Sequence, residues 1–203
     1  MTFPYDKAFT NPDYNRAEWR AFLGGAKIGD GTKVYFLGDD VETSAYTVNV
    51  ESTDRATIAQ YLPVVTNTDG GITFPNEFRL NKGRIAQEAI LAAALLGKVD
   101  MEFDLLLVYG NLEVLENGTA IPDACFAQKA KAKATISSMG GAGAETIVIT
   151  PEIRTSGDIY RGYVTLGTSE APNYDPDEET WLLSAFTSVP TLDIPDIKVR
   201  AGA

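Results

Sequence analysis

The sequence predicts a mainly β fold, a β-sandwich or barrel with one packed α-helix, which is α+β by strict counting. Short apolar or alternating runs separated by glycine and proline recur along most of the 203-residue chain, a pattern typical of strands joined by turns. Residues 83–97 differ, because their apolar positions repeat with a period of about 3.6 residues. The stripe comprises Ile85, Ala89, Ala92, Ala93 and Leu96. We expect this stripe to be buried against a sheet.

Three parts are expected along the chain. Residues 1–24 form an aromatic N-terminal arm with a short helix, which begins at Asn11 and ends at the Gly24–Gly25 pair. Residues 25–167 form a β-rich core domain that contains the helix 83–97. Residues 168–203 form an acidic linker and a C-terminal extension rich in proline.

In the first half of the core, residues 33–37 and 45–50 are predicted to be strands. The segment that follows is polar, and one interpretation is a helical turn from Ser52. The cluster at residues 67–71 contains asparagine, aspartate and two glycines, so it predicts a turn.

In the second half, Glu116-Asn117-Gly118 predicts a hairpin turn. Two long strands between residues 126 and 166 flank a glycine-rich loop, and residues 156–158 predict a further turn. Lysines alternate with alanines along the first of these strands: Lys129, Ala130, Lys131, Ala132, Lys133 and Ala134. Lysine at alternate positions is typical of an exposed sheet edge.

Composition argues against most enzyme classes. The chain contains no histidine, so it lacks the usual acid–base group near neutral pH and the commonest ligand of transition metals. Its single cysteine, Cys125, lies between apolar residues and is predicted to be a small buried hydrophobe. The net charge of −11 disfavours binding to nucleic acid or to an anionic membrane.

No common catalytic motif is present. The sequence has no phosphate-binding loop, no complete dinucleotide-binding glycine motif and no nucleophile elbow. The acidic residues 175–179 do not fit a calcium-binding loop and are expected to be a solvated linker. We therefore predict that the protein is not an enzyme and has no catalytic residue, metal site or cofactor. Catalysis by carboxylates alone stays open as an alternative.

No membrane segment is expected. The longest apolar run is the helix itself, which is too short to cross a bilayer. The first residues lack the basic and apolar regions of a secretory signal. The expected place of synthesis and assembly is therefore the cytoplasm.

The order of elements resembles that of the tail-tube proteins of long-tailed bacteriophages and of the tube protein of type VI secretion. The similarity covers about residues 31–166, and its most specific parts are KAKATISSMGG at residues 131–141 and TSGDIYRGYVTL at residues 155–166. The resemblance implies a small β-barrel-like sandwich flanked by a helix, whose copies join edge to edge into hexameric rings. The rings stack into a hollow virion tube, assembled in the host cytoplasm.

The resemblance also implies that the partners are further copies of the chain and other virion proteins. DNA would pass through a negatively charged lumen without specific binding. Two other functions remain open: another virion component, such as a head decoration or baseplate protein, and a cytoplasmic hydrolase that uses carboxylates.

Two segments are predicted to contact neighbouring subunits. The arm exposes aromatic residues, and the glycine-rich loop offers few side chains to pack within its own domain. The interface residues expected are Phe3, Tyr5, Phe9, Trp19, Phe22, Gly140, Gly141 and Gly143.

Overall fold

The structure, a computed structural model, describes residues 19–37, 41–44, 47–55, 64–79, 84–98, 101–140, 147–165, 173–175 and 180–200. These residues form an eleven-stranded sheet, a three-stranded sheet and one α-helix of 11 residues. The predicted mainly β class with one packed helix is confirmed.

The elements follow one another in this order: β1 (Trp19–Gly24), β2 (Lys33–Phe36), β3 (Val41–Ser44), β4 (Thr47–Arg55), β5 (Val64–Arg79), α1 (Ile85–Leu95), β6 (Glu102–Tyr109), β7 (Leu112–Glu116), β8 (Thr119–Ala120), β9 (Ala124–Gly140), β10 (Val148–Thr165), β11 (Tyr174–Asp175), β12 (Thr180–Leu182), β13 (Thr187–Ser188) and β14 (Ile197–Val199).

The large sheet has the order β11-β12-β2-β1-β6-β9-β10-β5-β3, with β13 added to β10 and β4 added to β5. Its neighbours pair in antiparallel fashion. The small sheet has the order β14-β7-β8. The hairpin turn expected at Glu116-Asn117-Gly118 joins β7 to β8, and it has the positive φ angles that this turn requires at Asn117 (52°) and Gly118 (78°).

The long pair of β9 and β10 forms the middle of the large sheet. It runs from Val148 opposite Gly140 to Thr165 opposite Ala124, with register shifts at Thr150/Pro151 and at Ser156/Tyr160. The turn expected at residues 156–158 is therefore wrong, because β10 continues through these residues with a bulge between Ser156 and Tyr160. Gly157 provides the positive φ of 83° that such a bulge accommodates.

The lysine-bearing strand is not at a sheet edge, so that expectation is also wrong. β9 lies between β6 and β10. The alternation itself is confirmed: Ala130, Ala132 and Ala134 are buried, and the lysines between them face the opposite side of the sheet. The alternation therefore separates a packed face from a polar face in the interior of the sheet.

Pairing overrides local composition in β4 and β5. β5 continues through residues 67–71, where a turn was expected, and β4 continues to Arg55, where Ser52 was expected to begin a helical turn. Each strand supplies hydrogen-bonding partners to the other from Thr47 opposite Thr73 to Arg55 opposite Val64. Neither polar segment is strongly β-forming by composition, and the partner strand decides its conformation.

The short helix predicted to end at Gly24 is wrong for the described residues 19–24, which form β1 between β2 and β6. The spacing of Trp19, Phe22 and Leu23 fits a helix, but these apolar residues occur together because they belong to a buried strand. Both faces of the sheet are covered here, so Phe22 and Leu23 are each buried although they point to opposite sides.

The helix α1 packs on one face of the sheet, but not through the stripe predicted for it. Its buried residues are Ala86, Gln87, Ile90 and Ala93. Ile85 and Leu96 from the predicted stripe are exposed, while Ala89 is partly buried and Ala93 is buried. Since α1 is apolar on nearly all sides, the periodicity does not indicate which side meets the sheet.

Two hydrophobic clusters cover opposite faces of the sheet. On the first face, α1 packs on β1, β2 and β9 through small residues, among them Ala86, Ala93 and Ala132. On the second face, Phe22, Leu106 and Val164 pack with Tyr174, Trp181 and Phe186 of the C-terminal segment, which is described at residues 173–175 and 180–200. The sheet thus carries α1 on one face and the second cluster on the other.

Trp181 is the centre of the second cluster. Its ring lies 5.5 Å from that of Phe22 in an edge-on arrangement and 4.5 Å from that of Tyr174. Its Nε1 donates a hydrogen bond to the Thr165 carbonyl at 3.2 Å, so the buried indole is satisfied. Farther along, Arg200 donates to the Ala124 carbonyl at 2.8 Å. Tyr174 and Trp181 are therefore part of the packed core, and Arg200 connects the end of the described chain to β9.

We expect Ile90→Ala to lower the free energy of unfolding by about 2–5 kcal/mol, because it opens a cavity beneath α1. Leu96→Ala is the matched control, and we expect a change of less than about 0.5 kcal/mol because Leu96 is on the solvent side. Denaturant unfolding of dilute, unassembled protein measures both changes. Equal costs for the two variants would contradict this orientation of α1.

We expect Gly162→Ala to displace β13 from β10, because the added Cβ would overlap the Thr187 carbonyl oxygen. The cost of such overpacking is about 1–3 kcal/mol. Gly140→Ala is the control, since its Cβ would meet nothing within 4 Å. Limited proteolysis should cleave near residue 187 faster in Gly162→Ala alone. Identical cleavage of the two variants would show that β13 does not hold the C-terminal segment in place.

Candidate assembly surfaces

The lysine face of the sheet extends beyond the Trp181 cluster as a polar surface. Strand register places charged side chains from three neighbouring strands on this face: Glu102 and Asp104 on β6, Lys129, Lys131 and Lys133 on β9, and Glu152 and Arg154 on β10. Opposite charges directly across a strand pair stabilise it modestly. The surface is thus organised by the strand register.

Three short contacts order this polar face. Lys131 Nζ lies 2.7 Å from Asp104 Oδ1, and Arg154 donates to Glu152 Oε1 at 2.7 Å. Ser156 Oγ lies 3.3 Å from Glu102 Oε1. Because these groups are at the surface, each ion pair contributes less than about 1 kcal/mol to stability.

A shallow depression of about 340 Å³ lies on the same face and is lined by Lys133, Thr135, Glu152, Arg154, Thr155 and Ser156. Basic and acidic side chains are nearly balanced across the polar face. The acidic excess behind the net charge of −11 therefore lies on other parts of the chain.

The two ends of the large sheet are β11 and β3 in the part of the chain that the structure describes. A strand at the end of a sheet presents backbone donors and acceptors to any neighbouring strand. These ends are candidate surfaces for pairing with another copy of the chain.

One part of β5 extends past the body of the sheet. Its pairing with β10 ends at Thr73 opposite Arg154, whereas its pairing with β4 continues to Val64. Among the described residues, 64–72 therefore pair with β4 alone. We call β4 together with residues 64–72 the ribbon. A two-stranded ribbon is at best marginally stable by itself in water. A further strand or a packed surface would therefore increase its stability.

The outward side of α1 is the third candidate surface. Ile85, Leu95 and Leu96 are 38%, 68% and 72% exposed. A contiguous apolar patch is informative, whereas a single exposed leucine is not.

The predicted interface residues fall into three groups. Phe22 is fully buried in the core, so its side chain is not available to a neighbouring subunit. Gly140 is exposed at the end of β9, and Trp19 begins β1, with its backbone opposite Tyr109. Outside the described residues lie Phe3, Tyr5, Phe9, Gly141 and Gly143.

Sequence reasoning missed the ribbon and the outward side of α1 as surfaces. A signal for the second was present, because alanine and leucine occupy nearly every side of the helix. The ribbon had no comparable signal, since its strands are polar and contain two adjacent glycines.

Groups capable of chemistry are sparse in the described part of the chain. Its residues contain no cluster of three or more potential metal ligands. Cys125 is buried, with its Sγ 3.5 Å from an Arg200 nitrogen. At the Asp30-Gly31 turn, hydrogen bonds from the Thr32 backbone and hydroxyl, both 2.9 Å, lower the pKa of Asp30. This interaction stabilises a turn at the surface.

Within the described part of the chain, no helix is long and apolar enough to cross a lipid bilayer.

No family model matches the sequence, and no curated protein matches it either. Several solved structures are similar to the chain at low sequence identity. The SPP1 tail tube is 15% identical over 70% of this chain and 75% of its own, with a TM-score of 0.45. The anti-feeding prophage cap, which terminates a tube, is 11% identical over 81% of this chain and 99% of its own, with a TM-score of 0.38. An Hcp protein is 10% identical over 72% and 91%, with a TM-score of 0.31.

Proposed function

We propose that this chain is a structural subunit of a virion tail tube, in which copies join into hexameric rings and the rings stack around a lumen. The observation that carries the proposal is the ribbon: paired backbone that leaves the sheet and has no third strand among the described residues. Such an element is stabilised by contact with another molecule. The order of elements, which resembles that of tail-tube proteins, indicates what that molecule is: another copy of the chain.

Edge pairing supplies the second part of the proposal. Strands β3 and β11 end the described sheet, and a closed ring uses every such end by placing it against the next subunit. The N-terminal arm, with Phe3, Tyr5 and Phe9, and the glycine loop, with Gly140, Gly141 and Gly143, extend these contacts to neighbouring subunits.

In this proposal, the negative charge of the subunits lets DNA pass through the lumen without being bound. The net charge of −11 repels a polyanion, whereas a tube that bound phosphates would hold the DNA in place. The protein in this proposal carries out no catalysis and needs no cofactor. It acts in the virion, with other virion proteins, after assembly in the host cytoplasm.

Size-exclusion chromatography followed by negative-stain electron microscopy tests the proposal. We expect hexameric rings or tubes whose abundance rises with protein concentration. Discrete trimers or pentamers would favour a head decoration protein. A monomer at every concentration would contradict assembly by this chain alone.

We expect Ser52→Pro to reduce assembly while leaving the core folded. Proline removes one backbone donor and restricts φ in the middle of β4, so it disrupts the ribbon opposite Asn67. Ser52→Ala is the control, because it keeps the backbone donor. Electron microscopy measures assembly, and thermal unfolding of dilute protein measures the core. Normal tubes from Ser52→Pro would exclude the ribbon from the subunit contact.

A further inference from the structure

The outward side of α1 is mostly apolar from its first turn to its end. Ile85 lies at its first turn, Ala92 in its third, and Leu95 and Leu96 at its end, and all four are exposed. Glu88 is the one charged residue on this side of α1. We call Ile85, Ala92, Leu95 and Leu96 the outer stripe.

A helix on the surface of a single subunit normally carries polar residues on its solvent side. The inner side of α1 already packs against the sheet through Ile90 and Ala93, so the outer stripe is a second apolar side. Leu95 and Leu96 leave 68% and 72% of their surface in water. The helix thus has two apolar sides. The described chain covers the inner side and leaves the outer stripe exposed.

Residues 1–18 have the chemistry to cover this stripe. They carry Phe3, Tyr5, Phe9 and Tyr14, and they join β1 at Trp19. The segment therefore joins the sheet at β1, which is one of the strands on which α1 packs.

The length of the segment favours a neighbouring copy over its own helix. Eighteen extended residues reach about 60 Å. The whole of β1 spans about 20 Å, and α1 about 16 Å. A much shorter segment would be enough to reach the helix of the same chain, whereas about 60 Å is enough to cross onto an adjacent subunit.

We propose that residues 1–18 of one copy dock their aromatic side chains on the outer stripe of α1 in a neighbouring copy. The inference rests on the proposed assembly of this chain and adds to it the receptor surface for the arm. Each copy then donates one arm and receives another, a head-to-tail contact that a ring or a stack of rings can repeat.

Substitution of the outer stripe tests the receptor. The double variant Leu95→Lys/Leu96→Lys should raise the protein concentration needed for assembly by about tenfold or more, the effect of losing a central apolar contact. Thermal unfolding of the dilute protein should be unchanged, because both residues are exposed. Ile194→Lys is the matched control, since Ile194 is 86% exposed on a different surface. Equal assembly of the double variant and the unaltered chain would overturn the proposal.

Cross-linking identifies the donor. Tyr5→Cys and Leu96→Cys are placed in separate chains that differ in mass, and the mixture is treated with a short bismaleimide. Cys125 is retained because it is buried. We expect products that join one chain of each kind, and none when Leu96→Cys is replaced by Ile194→Cys.

A chain carrying both Tyr5→Cys and Leu96→Cys distinguishes the alternatives. Cross-links only within single chains would overturn docking on a neighbour, and so would the absence of any cross-link. Either result could occur with normal tubes, so the proposed tail-tube function would stand. Failure of the unaltered chain to assemble would instead count against that function.

Discussion

The antiparallel pair of β9 and β10 is the contact on which the other parts of the sheet depend. On its outer side β9 pairs with β6, through which β1, β2 and β12 are attached in turn. On its outer side β10 pairs with β5 and with β13, so it supports both the ribbon and the C-terminal segment. Because the two strands are long, one pair holds elements that are far apart in the sequence. The register shift between Ser156 and Tyr160 lies between the part of β10 that pairs with β5 and the part that pairs with β13.

Alternation along β9 then assigns a role to each face. Its buried alanines allow α1 to approach closely, and Lys131 forms an ion pair with Asp104 on the polar face. A larger side chain in place of Ala132 would hold α1 away from the sheet, and an apolar one in place of Lys131 would expose hydrophobic surface. The alternation of β9 thus serves helix packing on one face and solubility on the other.

The sequence indicates the fold class well, because periodicity records burial. It predicted the Asn117–Gly118 turn from local backbone requirements, and the alternation of β9 from side-chain polarity. It failed where burial on two sides removes the alternation, as at Phe22 and Leu23 in β1. It failed again in β5, where a partner distant in sequence keeps a glycine-containing segment extended.

The candidate surfaces were harder to predict than the fold. The stripe through Ile85 and Leu96 was expected in the core because apolar periodicity does not distinguish a sheet from a neighbouring subunit as the covering surface. Its apolar character was predicted correctly, and its burial against the sheet was not. Phe22, expected at a subunit interface, packs against Trp181 instead. An aromatic side chain can be buried equally well in a core or in an interface, so its residue type does not distinguish the two.

We propose that a neighbouring copy completes the ribbon, whereas the β9–β10 pair is stable without one. Hydrogen–deuterium exchange of assembled and dissociated protein tests this proposal. We predict slow exchange in β9 and β10 in both states, and a large gain of protection on assembly in β4 and residues 64–72. Equal exchange of the ribbon in the two states would contradict the claim.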